Sequence, residues 1–133
     1  LAVWREWGLD IILKNAYESG TIMSGVSAGA ICWFEKGITD SWANSLNVLE
    51  CLGYTKGNCC PHYDEEPERK PSLYNFILNG EISDCFAIDG GCALHLKNDQ
   101  VFKSISFKNG KNSFLVRNEE GRITETSLPK ISL

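Results

Sequence analysis

The sequence predicts a single α/β domain ending in an antiparallel tail. Three observations carry this reading. A helical pattern opens the chain, gives way to a short apolar run and then resumes. Two apolar segments, CFAID and CALHL, flank Gly90-Gly91. The last third alternates polar and apolar residues between turn signals.

The elements follow in order. Val3, Trp4, Trp7, Ile11, Ile12, Leu13 and Tyr17 fit one helix face over residues 1–19, with a break at Gly8. Gly20 is a natural left-handed stop. Thr21–Val26, TIMSGV, suits a buried strand, and ICWFEKG then resumes a helical pattern to Gly37. Residues 39–58, with Trp42, Leu46, Val48, Leu49 and Leu52, hold a short strand or a crossing loop. Residues 59–71 are polar and carry Pro61, Pro67 and Pro71, which marks a loop. Leu73–Leu78 resembles a short helix. CFAID and CALHL are strands around a tight turn. Residues 101–107, 113–117 and 122–126 form a meander, with Asn109-Gly110 as its hairpin signal. No internal repeat is visible.

Composition narrows the function. The 133 residues are 43% apolar and 23% charged, with a formal net charge of −4. That mix excludes a disordered tail or a collagen-like repeat. The chain has no basic cluster, so neither nucleic acid nor an anionic membrane is an expected partner. No apolar run approaches the roughly 20 residues of a membrane span. Six cysteines occur without a C-x-x-C spacing. This disfavours zinc and thioredoxin-type chemistry, and points to reduced thiols in a cytoplasmic protein rather than a disulfide framework. The chain opens with Leu1 inside a helical pattern, so residues 1–133 are expected to form the C-terminal part of a larger domain.

One motif carries chemistry. Gly25-Val26-Ser27-Ala28-Gly29 lies between an apolar run and a helical run, the arrangement of a nucleophile elbow. A serine there projects from a strained turn at a helix N-terminus, where the Ala28 N–H can serve a developing oxyanion. Gly25 and Gly29 leave room for the close approach. The plain alternative is a glycine-rich turn that only packs tightly. A nucleophilic serine needs a base. The chain has two histidines, and His62 in the loop CCPHYDEE is favoured over His95 on an alternating strand. The base needs an orienting carboxylate, and Asp89 at a strand end ranks ahead of Asp40 in ITDSW. The acidic run Asp64, Glu65, Glu66 reads as solvated, because one histidine beside adjacent acids makes a poor metal site.

Taken together, SGVSAGAICWFE, TDS, CPHYD and FAIDGGCAL closely resemble the peptidase E family of serine peptidases, which includes aspartyl dipeptidase and, more distantly, cyanophycinase. The resemblance covers nearly the whole chain. It implies a three-layer flavodoxin-like or class I glutamine amidotransferase-like α/β fold with a mostly parallel sheet. It implies Ser27 as nucleophile and His62 as base. Asp89 stands where the family usually has glutamate, and Asp40 matches an aspartate near the site. Relatives carry a glycine-rich turn upstream that supplies a second oxyanion N–H. This chain lacks that turn and the strands before it, so Thr21–Val26 should be a central strand with an exposed edge, open to homodimer association.

The resulting expectation is a serine peptidase cleaving short peptides, with no cofactor or metal. Arg69 is a candidate for a substrate carboxylate. The rivals are a non-catalytic homologue acting as a binding or regulatory module, and an esterase using the same triad.

Overall fold

The computed structural model describes residues 1–41 and 43–132. Trp42, an apolar position of the predicted 39–58 region, lies outside them, as does Leu133. Helices α1 (Ala2–Glu6) and α2 (Leu9–Glu18) meet at Gly8, whose φ of 69° breaks the run where the sequence predicts. Gly20, at φ 92°, ends the second helix. After a short α3 (Ala28–Ile31) come β1 (Lys36–Thr39), β2 (Asn47–Glu50) and β3 (Asn58–Cys60). Helix α4 (Arg69–Leu78) and β4 (Cys85–Ile88) follow. The chain continues through β5 (Cys92–Lys97), β6 (Gln100–Ser106), β7 (Ser113–Glu119), β8 (Arg122–Ser127) and β9 (Lys130–Ser132).

The main sheet has six strands in the order β2-β1-β3-β4-β7-β8. The pairings β1/β3 and β3/β4 are parallel and the other three are antiparallel. The expected mostly parallel sheet is therefore mixed, with its parallel pairs at the centre. Alternation along the central strands feeds two cores. Cys60, Cys85 and Ala87 face one core with Leu73 and Ile77 of α4. Cys59, Phe86 and Ile88 face the other, with Ile31, Phe34 and Leu96. The parallel centre is thus covered on both faces, as such sheets require.

Four expectations are corrected. ICWFEKG does not continue as helix: α3 stops at Ile31, and Lys36-Gly37 opens β1. A side chain on Gly37 would lie 2.6 Å from Ile31 Cβ, so the chain turns tightly into the strand there. Thr21–Val26 is not a buried strand. It has no ladder partner among the described residues, and Ile22 and Val26 are 87% and 84% exposed. An apolar run becomes a strand only when a neighbour satisfies its backbone. The predicted helix Leu73–Leu78 begins earlier, at Arg69. Finally, the tail is not one meander. Strand β5 pairs with β6, which pairs in parallel with β9 in a separate sheet, whereas β7 and β8 extend the main sheet. Gly110 takes the left-handed φ of 75°, but its turn carries the chain between sheets, because β7 pairs with β4 along Ser113–Val116.

The opening helices pack through aromatic side chains. Trp33 lies 6.3 Å from Trp4 and 5.7 Å from Tyr54, and Tyr54 stacks on Tyr17 at 5.7 Å. Arg5 donates to the Cys51 carbonyl at 2.8 Å. All six thiols are free, and five of them are buried. Burial holds each thiol above its ordinary value, Cys51 at about 11 and Cys60 at about 12.

Leu73 is fully buried, so Leu73→Ala is expected to lower the unfolding free energy by about 2–5 kcal/mol. Ile22→Ala should change it by less than about 0.5 kcal/mol. Urea denaturation of the two variants checks the contrast.

Candidate active site

The elbow is set by a close approach. A β-carbon at residue 25 would lie 1.9 Å from the carbonyl oxygen of Gly29, so only glycine fits. At Gly29 itself a β-carbon would meet nothing within 4 Å, so the small residue expected there has no steric cause. Ser27 takes φ 53° and ψ −119°, a conformation that L-residues avoid. Such a residue costs on the order of 1–3 kcal/mol and persists only where its surroundings enforce it. The Ser27 carbonyl accepts from Ala30 at 2.9 Å and Ile31 at 3.1 Å, which starts α3. The Ala28 N–H has no backbone acceptor among the described residues and is available to a ligand.

Beyond β3 the chain enters the loop that carries His62. Pro61 is buried, His62 sits at φ 56°, and Tyr63 is fully buried. The Tyr63 N–H donates to the Ile88 carbonyl at 3.0 Å, which ties the loop to the end of β4. Its hydroxyl reaches Glu125, and Lys70 lies 4.5 Å above its ring. Asp64 accepts from the Gly90 N–H at 2.7 Å and pairs with Lys111. Burial pushes the Asp64 carboxyl up, but the Lys111 and Gly90 hydrogen bonds outweigh it and hold the group below its ordinary value.

These anchors bring two elements together. His62 Nε2 lies 2.9 Å from Ser27 Oγ. The other ring nitrogen, Nδ1, meets the carboxylate of Glu65. The Glu65 N–H also donates to the His62 carbonyl at 3.0 Å, closing a single turn. The network is satisfied when Nδ1–H donates to Glu65 and Nε2 accepts the serine hydroxyl. A serine hydroxyl, an imidazole and a carboxylate thus lie in one line of hydrogen bonds, an arrangement that can activate a serine.

Of the predicted site residues, Ser27 and His62 meet. The expected orienter Asp89 does not take part: its carboxylate accepts from the Asn112 N–H at 3.0 Å and fixes β4 against β7. Burial, reinforced by nearby Asp64, raises the Asp89 carboxyl above its ordinary value. Asp40 is exposed, with its carbonyl accepting from Ala43. Arg69 is 3% exposed, its fork held by Glu66 at 2.9 and 3.1 Å, and it is not free to bind substrate. His95 packs edge-on against Phe102 in the smaller sheet. Glu65 was hidden in the acidic run. No cluster of metal ligands occurs among the described residues. A cavity of about 330 Å³ is lined by Tyr63, Asp64, Glu65, Glu66, Pro67 and Lys70. The larger one, about 490 Å³ beside Lys36 and Glu81, includes none of the three residues.

The sequence model of Peptidase family S51 matches residues 1–104. The chain belongs to Peptidase family S51. It is also 46% identical over 129 residues to a Bacillus subtilis (strain 168) protein called an uncharacterized peptidase, YgaJ. That match covers 97% of this chain and 56% of the relative, so the family S51 chain spans little more than half the length of the curated protein it matches. The match to the family model includes the elbow, the His62 loop, β4 and β5.

The polar contacts of this S51 chain make two predictions about stability. A carboxyl held below its ordinary value stabilises the fold above its unfolded pKa, and this is lost as pH falls through the folded one. Asp64→Asn should therefore be less stable than wild type near neutral pH, with the gap closing in acid; thermal melts across pH test this. Arg69→Lys keeps the charge but loses the two-pronged contact with Glu66. Urea titration should show a loss of about 1–3 kcal/mol.

Proposed function

We propose that the chain is a serine-type peptidase acting on short peptides, with Ser27 as nucleophile, His62 as general base and Glu65 as the orienting acid. The observation that carries this reading is the serine held at positive φ with its oxygen 2.9 Å from His62 Nε2. Membership of a family of peptidases supports it.

The chemistry follows from the geometry. Ser27 Oγ attacks the scissile carbonyl while His62 Nε2 takes its proton. Glu65 keeps Nδ1 protonated and stabilises the imidazolium that forms. The Ala28 N–H donates to the oxyanion, and such a donor is worth on the order of a hundred- to a thousandfold. His62 then protonates the leaving amine, and water, activated by the same ring, releases the acyl group. The parallel centre of the sheet, covered on both faces, supports a flavodoxin-like or glutamine amidotransferase-like reading of the fold.

A fluorophosphonate is expected to label Ser27. Labelling should vanish in Ser27→Ala and slow by about a hundredfold or more in His62→Ala. A chain that stays unlabelled favours a binding module over an enzyme. A dipeptide panel set against simple esters separates peptidase from esterase, and turnover of esters alone would overturn the peptide substrate.

A further inference from the structure

Strand β8 carries an acid where its alternation calls for an apolar residue. Ile123 and Glu125 are two positions apart and share a sheet face, and Ile123 packs against the core that α4 covers. The Glu125 side chain is only 24% exposed, so its carboxylate needs donors. Three arrive from other elements. Lys70 and Tyr74 stand one turn apart on α4: Lys70 Nζ lies 3.4 Å from both carboxylate oxygens, and the Tyr74 hydroxyl donates to one of them. The third donor is the hydroxyl of Tyr63, in the loop that carries His62. Burial pushes the Glu125 carboxyl up, but the two phenols and Lys70 outweigh it and hold the group below its ordinary value. Burial and the adjacent carboxylate push the Tyr63 phenol up, so it stays a donor.

Tyr63 stands next to the base. His62 is held at φ 56°, a backbone state that a residue other than glycine leaves unless its neighbours enforce it. Buried Pro61 on one side contributes packing. Tyr63 on the other side is fully buried and tied at both ends, by its N–H to the Ile88 carbonyl and by its hydroxyl to Glu125. A hydrogen bond to a carboxylate shifts an equilibrium by roughly tenfold to a hundredfold. The bias against positive φ is of the same order, so the one offsets the other.

We propose that Glu125 is a positioning residue for the reaction: it grips the Tyr63 hydroxyl, and through Tyr63 it holds the backbone at His62 that sets Nε2 beside Ser27. The inference rests on the reading of Ser27 as nucleophile and His62 as base, and it involves Nε2 alone. It deepens that reading by reaching outside the matched part of the chain. Glu125 lies beyond residue 104, where the match to the family model ends. The C-terminal strands thus do more than widen the sheet, because one of them fastens the loop that presents the base.

Tyr63→Phe, Glu125→Ala and the double variant test this in the chain as it stands. Tyr63→Phe keeps the buried ring and removes only the donor. Two readouts are taken well below the melting temperature: the rate of fluorophosphonate labelling at Ser27, and the one-bond Cα–Hα coupling of His62, which is smaller at positive than at negative φ. Each single variant should label about tenfold more slowly, the lower end of the range for a hydrogen bond to a charged group. Its His62 coupling should move toward the value of negative φ. The double variant should label within about twofold of the slower single variant, because both changes remove one contact. A group that only stabilises the fold would lower the melting temperature and leave both readouts at wild type. That result in either single variant would overturn the proposal, as would losses that multiply in the double variant. If Glu125→Ala does not fold, Glu125→Gln replaces it, with the same outcome expected from the lost charge. Every form that folds is read in the same way, and if none folds the proposal is overturned. An unlabelled wild type would sink the peptidase reading, while the coupling at His62 still decides the role of Glu125.

Discussion

A single steric fact at residue 25 governs the rest of the molecule's chemistry. The backbone of Gly29 passes so close that no β-carbon can stand between them. That contact forces the chain to reverse within a few residues, and the reversal drives Ser27 to φ 53°. Strain of this kind decays unless something opposes it. Here the first turn of α3 does so, with the Ser27 carbonyl capped by two N–H groups, and Ile31 sits in the core at the far end of that turn. The serine is presented because packing behind it leaves the backbone no alternative.

The opposing half of the site depends on a different device. The loop after β3 is polar and would wander if left alone, yet two consecutive residues of it are fastened. Tyr63 is sunk into the core under Lys70, and Asp64 is gripped by the Gly90 N–H and Lys111. On either side of those anchors, His62 and Glu65 face each other. Asp89 serves the same scaffold from below by joining β4 to the residue before β7. Its raised carboxyl fits a joint in the frame, buried beside another acid.

Much of this was legible in the residues. Small side chains around Ser27 encode a tight turn wherever they occur between an apolar run and a helix. A histidine between a proline and a tyrosine is held on both sides. Which carboxylate meets the imidazole was not legible, because three consecutive carboxylates look alike until the positive φ of His62 folds one of them back onto the ring. Strand β1 was masked by a helical spacing that continues through Phe34, and only the contact between Gly37 and Ile31 shows why the chain turns. Asn109-Gly110 encodes a turn but not a hairpin, since β7 finds its partner in distant β4. Local spacing encodes local bends; which strand wins a neighbour is decided across the whole sheet.

The consecutive thiols of β3 have a practical consequence. Cys59 and Cys60 point into opposite cores, and both are kept protonated by burial at neutral pH. Since the thiolate is the species that reacts with alkylating reagents, neither sulfur is modified while the sheet stays intact. Each becomes reactive only when the core it faces opens, so a mass tag on either thiol reports the opening of that side of the sheet.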